Sequence, residues 1–286
     1  METGTQAPTG LARRGRRLSD QETAQRMLRT AVDMVNRTGL TVSLEHISLE
    51  DVIRHADVSR SAVYRRWPYK DLFFSDLVKE LAKNATPTIV DDEVTVIRQV
   101  LAARQDWLTT PEMRQQLMIE LFRQLSLLDF QTLYGSAQWR TYLALHATFL
   151  SLADGELRDQ VQLALAQSEQ AHAGRVAQAW EQLAGLLGYR LRPETGVSFE
   201  TIATLLGATM RGLVIEALAR PELARHRVQA SPFGAATADE WSLPALGLAS
   251  IGAVFLEPDP AFEWDDQKLT RIRQLLEQAG SSGRFP

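Results

Sequence analysis

The fold of this chain is decided by residues 58–73, which read VSRSAVYRRWPYKDLF. Three arginines and a lysine are interleaved here with two tyrosines and a tryptophan, although the chain as a whole has a net charge of −4. Pro68 limits the helix before it, because the residue that precedes a proline is pushed out of helical geometry. The stretch therefore predicts a short helix, a break and the start of another helix, with a basic surface that suits a polyanion.

Helix-start signals lie on both sides of this break. Ser19 and Glu22 form a capping-box pattern, and apolar residues then follow at helical spacing until Gly39, which is well placed to end the helix. Ser48 caps a second, short helix. A third helix begins at Ser59, and a fourth runs from about residue 70 to residue 84. The N-terminal part of the chain thus predicts three short helices followed by a longer one.

Residues 48–67 have the length and pattern of a helix-turn-helix unit, whose second helix lies in the major groove of DNA. The apolar residues that we expect to face inward are Val52, Ala56, Val58 and Val63. The residues that we expect to face outward are Arg60, Ser61, Tyr64 and Arg65. Trp67 is predicted to be a core residue that holds the third helix in place, since a large ring of this kind is usually buried.

This unit resembles the signature of the tetracycline-repressor (TetR) family of bacterial regulators, which is an apolar helix, a short turn and then V-S-x-x-x-V/L-Y-x-x-F/W-x-x-K-[DE]-x-L/F. The matching positions are Val58, Ser59, Val63, Tyr64, Trp67, Lys70, Asp71, Leu72 and Phe73. The resemblance covers about residues 20–84. The chain departs from the pattern at Asp57, where the family has glycine, at Ile53, where it has alanine, and at Tyr69, where it favours a small capping residue.

The resemblance implies a set of DNA-contacting residues: Ser48, Ser59, Arg60, Ser61, Tyr64, Arg65, Tyr69 and Lys70. Arg60 is the candidate for a bidentate guanine contact, because a guanidinium matches the two acceptors of that base. Tyr64 and Lys70 would hold phosphates and fix the register. The arm formed by residues 1–18, with its four arginines between positions 13 and 17, either enters an adjacent minor groove or is a tail without a role.

The remaining sequence predicts an all-α fold, with a helix-turn-helix domain at 19–84 and a larger helical domain at 85–286. Helices are expected near 92–108, 111–128, 137–153, 156–187, 198–219, 242–256 and 264–279, with no convincing strand pattern. The stretch 221–240 is expected to be a long loop, and long loops of this kind are either lids or disordered insertions.

The family resemblance implies that the larger domain binds a small-molecule effector and forms a homodimer. An aromatic-rich set with polar tips supplies the candidate effector-binding residues, which are Trp107, Phe122, Trp139, Tyr142, His146, Phe149 and Trp180. For any one of these side chains taken singly, a place in a packed core is favoured over a ligand contact. The dimer interface is expected on the helices near 198–219 and 242–256, which are rich in small and apolar residues.

Composition narrows the function classes. The absence of cysteine excludes disulfides, thiolate metal sites and cysteine nucleophiles. Residues 1–84 contain 14 Lys and Arg against 11 Asp and Glu, whereas the rest contains 17 against 24, so the N-terminal end is the one expected to face a polyanion. The longest uncharged apolar run, 243–256, is shorter than the roughly 20 residues of a membrane-spanning helix. We therefore expect a cytoplasmic protein that does not enter a membrane.

Together with these observations, the resemblance implies a ligand-responsive regulator that binds a palindromic DNA operator as a homodimer. A repressor that a small molecule releases from the operator is favoured over an activator. No metal and no cofactor is expected. The alternatives are a DNA-binding or adaptor protein without sequence preference, which would show a steep dependence on salt, and an all-α enzyme. The chain contains no G-x-S-x-G, H-E-x-x-H, Walker or dinucleotide glycine motif, and an enzyme is therefore the least favoured reading.

Overall fold

The computed structural model describes residues 18–38, 47–83 and 90–265, together with residues 267, 268, 270 and 274. Within these ranges the chain forms eleven α-helices and two small antiparallel sheets. The helical fold class is therefore confirmed in its coarse form. The arginines of the predicted arm, Gly39 and most of the helix predicted near 264–279 lie outside the described residues.

Four helices form the N-terminal head, which is the name used here for α1 to α4. Their bounds are Asp20–Thr38 (α1), Leu49–Ala56 (α2), Arg60–Arg66 (α3) and Lys70–Lys83 (α4). The predicted caps are confirmed. The Ser19 hydroxyl accepts the N–H of Glu22 at 3.1 Å, while the Glu22 carboxylate accepts the N–H of Ser19 at 2.7 Å. The Ser48 hydroxyl accepts the N–H of Asp51 at 3.3 Å, which satisfies a donor that the helix leaves open.

Seven further helices form the body, which is the name used here for α5 to α11. Their bounds are Val90–Ala103 (α5), Pro111–Gly135 (α6), Ala137–Ser151 (α7), Glu156–Leu186 (α8), Phe199–Ala219 (α9), Glu222–Arg225 (α10) and Leu243–Phe255 (α11). A 3₁₀ turn at Gln105–Leu108 follows α5. Thr110 caps α6 and Ser198 caps α9, each through a hydroxyl that accepts a backbone N–H.

Two short antiparallel sheets correct the expectation that the body has no strands. The first pairs β1 (Tyr189–Leu191) with β4 (Leu256–Pro258), and the second pairs β2 (Arg227–Ala230) with β3 (Asp239–Ser242). Each strand has three or four residues, which is too short for an alternating pattern to be read. The expected long loop at 221–240 is therefore mostly α10 and the β2–β3 hairpin.

The buried side chains form two clusters. One lies in the body, where α6, α9 and α11 pack on one another around Phe122, Trp139 and Trp241. The other belongs mainly to the head and includes Trp67 and Phe73, but it is completed by residues from the body (Leu145 of α7 and Leu165 of α8). Head and body thus share one apolar core at their junction.

One helix in the described part of the chain, α9, is long and apolar enough to cross a membrane by length and composition, and 33% of its apolar window is buried inside the protein. A core helix of a water-soluble protein passes the same test. In this structure α9 packs against α6, α8 and α11.

Candidate functional site

The turn between α2 and α3 sets the angle of the candidate recognition helix. Asp57 caps the end of α2 with φ 49° and ψ 53°, and its N–H donates to the carbonyl of Arg54 at 3.3 Å. This is the left-handed conformation expected for the position where the resembled family has glycine. A residue with a side chain occupies this region at a cost, although aspartate tolerates it better than most.

Replacing Asp57 with glycine is expected to stabilise the protein by up to about 1 kcal/mol, because glycine adopts a positive φ without strain. Asp57→Val should destabilise it, since a β-branched side chain is a genuine outlier in this region. The measurement is the free energy of unfolding in urea. Equal stabilities for the three proteins would contradict the assigned turn geometry.

The inner side of α3 holds the unit together. Val63 and Trp67 are almost completely buried, with 0% and 1% of their surface exposed. The Trp67 ring packs edge-to-face on Phe73, with 5.1 Å between ring centroids, and its Nε1–H donates to the Asp76 carboxylate at 2.9 Å. The predicted core role of Trp67 is confirmed. A single ring therefore joins α3 to α4 through both an apolar contact and a polar one.

The outer side of α3 is exposed as the sequence predicts. Arg60, Ser61, Tyr64 and Arg65 all lie at the surface. Ser59 caps α3 by accepting the N–H of Ala62 at 3.4 Å. Ser48, Tyr69 and Lys70 are also exposed, and Tyr69 has 73% of its surface in solvent. All eight candidate DNA contacts are thus exposed in the structure, while their contact with DNA stays a prediction.

Glu50 is a member of this surface that sequence reasoning missed. Its carboxylate accepts the Tyr64 hydroxyl at 2.9 Å and lies 2.7 Å from the Arg60 guanidinium. The hydrogen bond to Glu50 raises the pKa of the Tyr64 hydroxyl. Since Glu50 lies fourteen residues before Tyr64 in the sequence, no local spacing indicates the contact. In the protein without DNA, Glu50 therefore holds together the two side chains that are expected to reach a base and a phosphate.

Carboxylates also accompany two further arginines of α3, Arg65 and Arg66. Arg65 pairs with Asp20 at the start of α1, and Arg66 lies 3.6 Å from Asp76 while covering the Trp67 ring at 5.7 Å. Lys70 has no carboxylate within ion-pairing distance in the described ranges. Between positions 48 and 71 the sequence has five Lys or Arg and four Asp or Glu. The positive and negative charges of this segment thus nearly cancel. A DNA phosphate would have to displace the carboxylates that pair with the arginines.

A polar cluster in the body contains two of the candidate effector residues. The Tyr142 hydroxyl donates to Glu169 Oε1 at 2.7 Å and accepts from Arg211 Nη1 at 3.3 Å, and Arg211 Nη1 also donates to Glu169 Oε2 at 2.7 Å. The His146 ring lies 4.2 Å from the Tyr142 ring. Burial, together with the hydrogen bond to Glu169, strongly raises the pKa of Tyr142. This Tyr142 cluster joins α7, α8 and α9, and its charged partners were missed by sequence reasoning.

The remaining candidate effector residues divide among other contacts. Phe122 stacks on Trp180 with 4.4 Å between ring centroids. Trp107 lies against the Arg104 guanidinium, and Phe149 lies against that of Arg158 and packs on the head cluster. Trp139 is buried beside Tyr142. The seven residues are thus buried or half-buried side chains, and they do not converge on a single site. Among the described residues, no group of three or more histidine or acidic side chains is placed to hold a metal ion.

At the junction between head and body, α4 contacts two of the helices that form the Tyr142 cluster. α4 packs along α8 and touches α7. Leu145 of α7 and Val161 and Leu165 of α8 are buried in the head's cluster. A shift of α7 or α8 would therefore move the packing of α4, and with it the ring of Trp67 on Phe73.

Comparison with models of known protein families gives no match to this chain, and comparison with curated proteins gives none either.

Proposed function

We propose that this protein is a DNA-binding transcriptional regulator that works as a homodimer and responds to a small molecule. The single observation that carries the proposal is the geometry of the α2–α3 unit. A tight left-handed turn joins the two helices, and α3 buries Val63 on one side while it exposes Arg60, Ser61 and Tyr64 on the other. A helix of this kind fits the width of the major groove. The resemblance of residues 58–73 to the tetracycline-repressor signature supports the same reading.

A DNA titration tests the proposal. The full chain is titrated with the region upstream of its own gene and with unrelated DNA of equal length, at two salt concentrations. A specific regulator should bind the first DNA about a thousandfold or more tightly than the second, and both affinities should fall with salt. Equal affinity for the two DNAs would instead favour a protein that binds DNA without sequence preference. No binding at the lower salt concentration would reject the DNA-binding proposal.

Two alanine variants separate base reading from phosphate binding. Arg60→Ala should reduce the preference for the specific DNA by about 1–3 kcal/mol, because a bidentate base contact is lost. Lys70→Ala should weaken binding to both DNAs alike and reduce the salt dependence by about one unit of slope. Arg140→Ala on α7, an exposed arginine of the body, is the matched control and should change neither. A uniform loss in Arg60→Ala would contradict the base-reading role.

The homodimer part of the proposal is supported by an exposed apolar stripe on α9. Leu205, Ala208, Gly212 and Ile215 follow helical spacing and are all exposed or nearly so. Val254 on the adjacent α11 is exposed as well. The small residues of α11 serve a different purpose, since a Cβ at Gly252 would lie 2.5 Å from the Phe122 ring. The surface available to a second copy is therefore centred on α9.

Ile215→Asp is expected to convert the dimer to a monomer. Ile215 has 48% of its surface exposed, so the change costs little within one chain, whereas a two-fold interface would bury the new carboxylate twice. Light scattering after size exclusion measures the mass. Leu150→Asp, on the exposed side of α7, is the control and should leave the mass unchanged. A dimeric Ile215→Asp protein would exclude this face as the interface.

The effector part of the proposal is supported by the connection between the Tyr142 cluster and the head. A ligand that displaced Arg211 or Glu169 would alter the contacts among α7, α8 and α9, and α7 and α8 also complete the core of the head. Such a ligand changes the DNA affinity only if it binds the helix arrangement that binds DNA and the arrangement that does not with different affinities. This coupling is what would make the regulator responsive.

A further inference from the structure

A pocket of about 260 Å³ lies on the body where the first turn of α6 meets the end of α8 and the β1–β4 sheet. Pro111, Leu187, Pro258 and Pro260 supply apolar walls, and Phe262 supplies an aromatic one. Arg114 and Tyr189 also line it. None of the seven aromatic and histidine residues proposed from the sequence as effector contacts belongs to this pocket, and the site is therefore a different one.

Arg114 is the unusual member of the pocket. Only 6% of its surface is exposed, and among the described residues its one acceptor is the carbonyl of Leu108, at 3.2 Å from Nη1. The guanidinium carbon lies 5.0 Å from the Phe262 ring and 5.7 Å from the Trp264 ring. Aromatic faces attract a cation, but they use none of its remaining N–H donors.

The charge of Arg114 has no counter-ion among the residues that the structure describes, since no carboxylate there lies within ion-pairing distance of it. Burial accordingly lowers the pKa of the guanidinium. By contrast Asp259, the acidic member of the pocket, already accepts the N–H of Ala261 at 3.0 Å and lies 3.9 Å from Arg190. The uncompensated charge inside the pocket is therefore positive.

A buried charge without a partner costs free energy, and it persists in a folded protein when something else compensates it. A carboxylate is the group that fits best, because it accepts two parallel N–H bonds from a guanidinium. Tyr189 lines the same pocket, and its hydroxyl is a second group that can donate a hydrogen bond. The proline and phenylalanine walls suit an apolar body next to that carboxylate.

We propose that this pocket binds a small organic monocarboxylate, with its carboxylate on Arg114 and its apolar part against Phe262 and the prolines. The volume is below the roughly 300 Å³ at which sites for drug-sized ligands begin, which limits the ligand to a single ring or a short chain. The proposal rests on the pocket alone and holds whether or not the chain binds DNA.

Binding of benzoate to the full-length protein tests this directly, with benzamide and benzylamine as neutral and cationic analogues of the same shape. Calorimetry or ligand-detected NMR measures the three dissociation constants. Benzoate should bind at least about tenfold more tightly than benzamide, since a charge-assisted pair replaces neutral hydrogen bonds. Benzylamine should bind more weakly still. Equal binding of benzoate and benzamide, or no detectable benzoate binding, would overturn the proposal.

Variants of Arg114 and Tyr189 then test whether the benzoate carboxylate binds at Arg114. Arg114→Gln should lower benzoate affinity about tenfold or more while leaving benzamide binding nearly unchanged, and Tyr189→Phe should lower it severalfold. Arg225→Gln, an exposed arginine on α10, is the matched control and should bind benzoate like the wild type. Circular dichroism checks the fold of each variant. If Arg114→Gln does not fold, Tyr189→Phe and the comparison of the three analogues test the site. The site would be rejected if Tyr189→Phe bound benzoate like the wild type and if benzoate and benzamide bound equally.

Discussion

Trp67→Ala is expected to unfold the head and, under the proposed function, to abolish DNA binding. The side chain is buried to 99%, packs edge-to-face on Phe73 and donates its indole N–H to Asp76. Truncating a buried tryptophan to alanine typically costs about 3–5 kcal/mol. Partial burial raises the pKa of the Asp76 carboxyl, and hydrogen-bond donors that include Trp67 outweigh this effect. The variant would remove one of these donors. Both losses weaken the joint that holds α3 on α4.

Thermal and urea unfolding measure the effect on stability, and the DNA titration described above measures the effect on binding. Trp67→Phe keeps a ring but loses the indole N–H, and it should fall between the wild type and Trp67→Ala. Tyr69→Ala, two residues away and largely exposed, is the stability control and should stay within about 0.5 kcal/mol of the wild type. Wild-type stability in Trp67→Ala would contradict the assigned packing.

Arg211→Met is the second change with a large expected effect. It removes the cation that donates to both Glu169 and Tyr142, and it leaves a partly buried carboxylate without its ion pair. Breaking a buried pair on one side costs about 3–5 kcal/mol, and because some 30% of each charged side chain is exposed, about 2–3 kcal/mol is expected here. The double variant Glu169→Gln with Arg211→Met should recover part of this loss, since no charge is then left unpaired.

The loss in Arg211→Met should shrink in acid. Burial opposes ionisation of Glu169, but the hydrogen bond from Tyr142 and the charge of Arg211 outweigh it and lower the pKa of the carboxyl. A carboxyl with a lowered pKa in the folded state stabilises the protein above the ordinary glutamate pKa, and this contribution is lost as the pH falls through the lowered value. Wild type and Arg211→Met should therefore converge in stability below about pH 4.

Urea unfolding at several pH values measures this convergence. Arg140→Met on α7 is the matched control, because it is an exposed arginine without a carboxylate within ion-pairing distance among the described residues. It should follow the wild type at every pH. A difference between wild type and Arg211→Met that stays constant from neutral pH to pH 3 would show that lost packing, not the ion pair, causes the destabilisation.

Local signals in the sequence predicted the helices well. Ser48, Ser59, Thr110 and Ser198 each start a helix in the structure, because an N-cap needs only a hydroxyl and the backbone three residues later. The effects of Pro68 and Asp57 are likewise local, since each influences the end of the helix that lies directly before it. The exposed and buried sides of α3 follow from the same short-range periodicity.

Contacts between distant residues were not predictable in this way. The pairing of Glu50 with Tyr64 and that of Arg211 with Glu169 depend on how helices cross, which a single sequence does not state. The β2–β3 hairpin was missed because its strands are only four residues long and its turn contains a proline and a glycine typical of a loop. The charged partners in the candidate sites, such as Glu50, Glu169 and Arg211, were accordingly the residues that sequence reasoning left out.

The core shared by head and body has a consequence for protein engineering. Under the proposed function, the head could be grafted onto the effector-binding part of another regulator. Here a graft cut near residue 84 would separate α1 to α4 from Leu145, Val161 and Leu165, which finish their core. The transplanted segment would expose an apolar face that its new host does not cover. A working chimera would need to carry the facing sides of α7 and α8 along with the head.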